Sequence, residues 1–76
     1  MIEEYDNLIR NIKYYRTELG LTQEQLAEKS DLSVSYIKQI ESGKDFKNIT
    51  FNTTYKIAKA LKIKIEKLYE NNKILN

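Results

Sequence analysis

Between Ser33 and Gln39 the chain sets two serines, a valine, a lysine and a glutamine around Ile37, with Ile40 just beyond. At helical spacing Ile37 and Ile40 turn to one side, which leaves Ser33, Val34, Ser35, Lys38 and Gln39 on the other. Side chains of this kind suit the edges of base pairs. A glutamine carboxamide pairs with adenine through two hydrogen bonds, a serine hydroxyl donates or accepts, and a valine offers only apolar contact to a thymine methyl. The expected target is therefore A·T-weighted. A second polar set, Gln23, Ser42, Lys44, Lys47, Asn48 and Thr50, brackets this segment. Such groups suit phosphate oxygens, which position a duplex without specifying its sequence.

Other chemistries have little to work with. The sequence of 76 residues contains neither Cys nor His, which removes disulfides, zinc ribbons, iron–sulfur sites and Ser-His or Cys-His nucleophile pairs. No pair of ionisable groups stands out at catalytic spacing, so no enzyme activity, cofactor, metal or small-molecule ligand is expected. The length fits one small domain spanning 1–76, with no separate sensing domain. Thirteen Lys and Arg residues against eleven Asp and Glu give a net charge of only +2, so placement of charge matters more than its total. No apolar run approaches membrane-spanning length, and the opening MIEEYDNLIR is acidic where a signal peptide would be basic. A cytoplasmic protein with no membrane partner is the expectation.

The elements that would carry these side chains are helices. Leu8, Ile12, Tyr15 and Leu19 mark one face of a helix from about Asp6 to Leu19, stopped by Gly20. Thr22 with Gln25 three residues on forms a capping box that opens a second helix. Ser33 repeats the start signal for a third, from Val34 to about Ser42, stopped by Gly43. Leu26, Ser30, Leu32, Ile37 and Ile40 are spaced so that the second and third helices press together, with Ala27 small enough for close approach. After a polar loop, Thr50 caps a fourth helix marked by Phe51, Tyr55, Ala58 and Leu61, and a short fifth starts near Ile65. Ile63-Lys64-Ile65 is too short an alternation for a strand. The reading is an all-α, compact five-helix domain with a central helix-turn-helix, the motif that places its second helix in the DNA major groove.

The run TQEQLAEKSDLSVSYIKQIESG resembles the phage repressor and Cro type of helix-turn-helix, with Gln23, Ala27, Ile37, Ile40, Glu41 and Gly43 at that family's pattern positions. The similarity runs from about Ile9 to Tyr69, because IAKAL at Ile57 to Leu61 looks like the family's fourth helix. Two departures stand out. Asp31 occupies a turn position where the family usually has Gly, and Lys62 and Lys64 sit where it tends to have a terminating Gly and a capping Ser.

The resemblance implies base contacts by Ser33, Val34, Ser35 and Gln39. It also implies an interior ion pair between Arg16 on the first helix and Glu41 closing the third. In function it implies a sequence-specific regulator of transcription, similar in size to the controllers of restriction–modification systems. An antitoxin that uses the same domain for autoregulation is the alternative.

One recognition helix reads few base pairs, so a homodimer on a pseudo-palindromic site of double-stranded DNA is expected. Ile65, Leu68, Tyr69, Ile74 and Leu75, in segment 65–76, are the expected interface.

Overall fold

A computed structural model of the protein describes residues 3–43 and 49–71. Among these residues the elements are α1 (Glu3–Glu18), α2 (Gln23–Ser30), α3 (Val34–Ser42), α4 (Phe51–Leu61) and a 3-10 turn (Ile65–Tyr69), with no strand. The all-α architecture is the one the sequence predicts, but the fifth helix is a single 3-10 turn. Lys64 precedes it in extended conformation and offers its first amides no side-chain cap. A segment that short cannot repay the cost of nucleating an α-helix by itself. No described helix is long and apolar enough to cross a membrane.

Start and stop signals act locally and recur. Thr22, Ser33 and Thr50 each accept a hydrogen bond from the amide three residues on, and the Thr22 amide in turn donates to Gln25 Oε1 at 2.8 Å. Three helix ends share one geometry. Gly20, Asp31 and Lys62 take positive φ, and the next residue, Leu21, Leu32 or Ile63, donates back to the carbonyl of Arg16, Ala27 or Ala58. Each of these apolar residues packs on the core, which is the hydrophobic contact that accompanies this type of helix stop. Asp31 and Lys62 thus reach the left-handed conformation without being glycine, at some backbone cost.

The core gathers Leu8 and Ile12 from α1, Leu26 and Ala27 from α2, Ile37 and Ile40 from α3, Ile57, Ala58 and Leu61 from α4, and Leu68 from the 3-10 turn. Burying each large aliphatic side chain of this set contributes about 1.5–3 kcal/mol. α2 packs between α3 and α4, while α1 lies against α3, α4 and the 3-10 turn. That arrangement clamps one face of α3 and leaves the opposite face outward.

Several expected core positions are not in the core. Leu19 is half exposed because α1 ends at Glu18, so Leu19 already belongs to the turn. On α4 the buried stripe is Thr54, Ile57, Ala58 and Leu61, spaced i, i+3, i+4, i+7. Tyr55 lies roughly 100° round from the middle of that stripe, and Phe51 is the first residue of the helix. They remain 47% and 69% exposed. Thr54 takes the place a large aromatic was expected to fill. It is buried without loss, because its hydroxyl donates to the Thr50 carbonyl at 3.1 Å and accepts from the Tyr69 hydroxyl at 3.3 Å.

Candidate nucleic-acid interface

Recognition requires that α3 be held rigidly by its inner face and ends. Ile37 and Ile40 are completely buried and supply the inner anchor. At the C-terminal end, Glu41 meets Arg16 of α1 in a two-point pair, Nε to Oε2 at 2.7 Å and Nη2 to Oε1 at 3.0 Å. The remaining Arg16 nitrogen, Nη1, donates to the Leu21 carbonyl at 2.6 Å, and Gln23 Nε2 donates to Glu41 Oε1 at 3.1 Å. The side chains of Arg16 and Glu41 are only 12% and 3% exposed. One carboxylate therefore ties together the end of α1, the start of α2 and the end of α3, and the fork shape of guanidinium sets their relative orientation.

The outward face of α3 carries Ser35, Lys38 and Gln39, all exposed. Ser33 is exposed at the helix start, with its hydroxyl oxygen accepting from the Tyr36 amide at 3.1 Å. Val34 is half-buried and packs in part against the core, which limits the apolar surface it presents. This is a short polar face at the N-terminal half of a fixed helix, the form in which a helix-turn-helix offers side chains to base edges.

Residues 12–68 match the helix-turn-helix family. The chain belongs to that family. It is 38% identical over 69 residues to control protein C.SmaI of Serratia marcescens, an alignment that covers 91% of this chain and 80% of that one. The crystal structure of the restriction-modification controller protein C.AhdI from Aeromonas hydrophila superposes with a TM-score of 0.79 at 31% identity, over 90% of this chain and all of that one. As a helix-turn-helix protein homologous to these controllers, the chain is a DNA-binding regulator.

Within the helix-turn-helix domain the flanking polar residues divide. Gln23 lies at the start of α2 with its carboxamide engaged by Glu41. Ser42 is exposed at the end of α3, and its hydroxyl donates to the Gln39 carbonyl at 2.8 Å. Thr50 spends its hydroxyl locally: the oxygen accepts from the Thr53 amide and the proton goes to Thr53 Oγ1. A phosphate contact from Thr50 would thus have to displace a cap. Lys44, Lys47 and Asn48, and the C-terminal Ile74 and Leu75, lie outside the described residues.

The expected dimer surface needs a correction. Leu68 has no exposed surface at all and belongs to the domain's own core, and Ile65 packs in part against that core. Of the expected set within the described residues, Tyr69 offers the most surface, at 39% exposed. The sequence reading missed Asn11. It is completely buried on α1 and donates to the carbonyls of Leu68 at 2.9 Å and Glu70 at 2.8 Å. Its signal was its position: Leu8, Asn11, Ile12 and Tyr15 follow i, i+3, i+4, i+7, so a polar residue stands in the buried stripe and needs interior partners.

Proposed function

We propose that the protein is a sequence-specific transcriptional regulator of the restriction–modification controller type, acting as a homodimer on a pseudo-palindromic operator. The observation that carries this reading is the two-sided use of α3. Its inner face and C-terminal end are locked by Ile37, Ile40 and the Arg16–Glu41 pair, while Ser35 and Gln39 stand outward on a fixed platform. Ser33, Val34, Ser35 and Gln39 are the proposed base readers, with Gln23 and Ser42 beside them as backbone contacts. The homologous controllers support the biological role.

A single α3 reads too few base pairs for genomic specificity, so a second copy completes the site. The described surface offers an apolar face for it: Phe51 stacks on Tyr55, with ring centroids 6.5 Å apart, and Tyr69 reaches the neighbouring Thr54. The test is selection from a random DNA library followed by sequencing. An enriched inverted repeat with half-sites about one helical turn apart, roughly 34–36 Å, is the expected result. Recovery of unselected sequence, or of a single unrepeated half-site, would overturn the specific dimeric reading.

A further inference from the structure

A shallow cleft opens where three elements meet. Lys13 and Arg16 of α1, Gln23 at the start of α2, and Lys38, Glu41 and Ser42 of α3 line it. Its single carboxylate is already matched, since both oxygens of Glu41 receive an N–H of Arg16 and one also receives Gln23. Lys13 and Lys38, both exposed, leave the cleft positive. Glu41 also fixes the attitude of Gln23. Only the amide nitrogen of a carboxamide can face a carboxylate, and that nitrogen carries a second N–H to give. The lining therefore suits a ligand that is anionic and accepts hydrogen bonds.

We infer that this cleft seats a backbone phosphate of the duplex, with Lys13 and Lys38 as its cationic walls. The inference rests on the DNA-binding reading above and adds two assignments to it: α1 joins the interface through Lys13, and Lys38 positions the duplex instead of reading a base. Helical spacing separates Lys38 from the readers. Lys38, Glu41 and Ser42 are related as i, i+3, i+4 and form one strip of α3 that borders the cleft, whereas Ser35 and Gln39 are related as i, i+4 on a neighbouring strip. A lysine ammonium on a flexible stem acts on phosphate as a point charge and needs no fixed geometry to do so.

The experiment compares Lys13→Gln, Lys38→Gln and, as a charge control, Lys29→Gln at the opposite end of α2 from Gln23. Each is titrated across potassium chloride concentrations against the selected operator and against a random duplex of equal length. Lys13→Gln and Lys38→Gln each remove one phosphate contact from each half of the proposed dimer, so each should flatten the slope of log affinity against log salt by about 1.8 and lower affinity for both duplexes roughly thirtyfold near physiological salt. The ratio between the duplexes should not change, and Lys29→Gln should move the slope by less than half as much. An unchanged slope in Lys13→Gln, an equal loss in Lys29→Gln, or altered preference at one base pair in Lys38→Gln would overturn the assignment. A wild type that binds both duplexes equally would overturn only the sequence-specific reading, because the slope on random DNA still tests the cleft. A wild type that binds neither would overturn both.

Discussion

Arg16 grips Glu41 at two points across 25 positions of sequence, with Glu41 almost completely out of solvent. Removing one partner leaves the other charge buried and uncompensated, so Arg16→Ala should cost about 3–5 kcal/mol. Arg16→Met with Glu41→Leu should cost less than the sum of the single changes. Urea denaturation of the cycle measures the difference, and strict additivity would show that the pair is not coupled.

Asn11 is the second interior tie, holding the C-terminal turn to α1 through the Leu68 and Glu70 carbonyls. Asn11→Leu keeps the branching at Cγ but strands two carbonyls, at a cost of about 1–3 kcal/mol for a buried group left without its partner. Hydrogen exchange should quicken at residues 65–71 before it does so in α2 and α3. Uniform quickening across the domain would mean that the tie is not local.

Asp31 and Lys62 hold left-handed backbone at φ 60°, where a Cβ is unfavourable. Asp31→Gly and Lys62→Gly should each stabilise the fold by about 0.5–1 kcal/mol, the relief of strain being partly offset by the greater freedom of glycine when unfolded. Asp31→Val should destabilise it. Melting temperatures of the three variants give the ordering, and a destabilised glycine variant would contradict the account of both turns.

Surface and core make opposite demands on the C-terminal region. Tyr55→Glu with Phe51→Ser should leave a folded chain that sediments as a monomer, because both side chains stand in solvent within one chain. Leu68→Glu should unfold the domain instead, since it puts a charge into the core. A Tyr55→Glu, Phe51→Ser variant that still sediments as a dimer would move the proposed interface off this face.

Gln39→Ala should cost about 1–3 kcal/mol on the selected operator and relax discrimination at one base position, with little effect on random DNA. Equal weakening on both duplexes would remove Gln39 from the readers.

The starts of α2, α3 and α4, and with them the helix-turn-helix, were determined by the sequence alone. Thr22 with Gln25, Ser33 and Thr50 each act on an amide three residues away, and the stop at Gly20 is closed by the next residue, Leu21, donating to the Arg16 carbonyl five residues back. Interactions of that range are complete within one short stretch of chain, so residue type and spacing suffice to find them. Ile37 and Ile40 were legible for the same reason, as a short stripe on one helix.

Burial on α4 and in the C-terminal turn was decided only by the tertiary structure. Thr54 lies inside and Tyr55 outside because the 3-10 turn and α2 press on the Thr54, Ile57, Ala58, Leu61 stripe of α4; the sequence carries that stripe, but packing decides that it, and not the face with Phe51 and Tyr55, turns inward. Leu68 and Tyr69 are adjacent in sequence, yet packing against α1 and α4 buries one completely and leaves the other partly exposed. Asn11 finds its acceptors 57 and 59 residues away. The cleft of Lys13, Gln23 and Lys38 likewise exists only once α1, α2 and α3 have packed together. Contacts of this kind depend on how several helices share one small interior, a property of the assembled domain that single-helix periodicity does not contain.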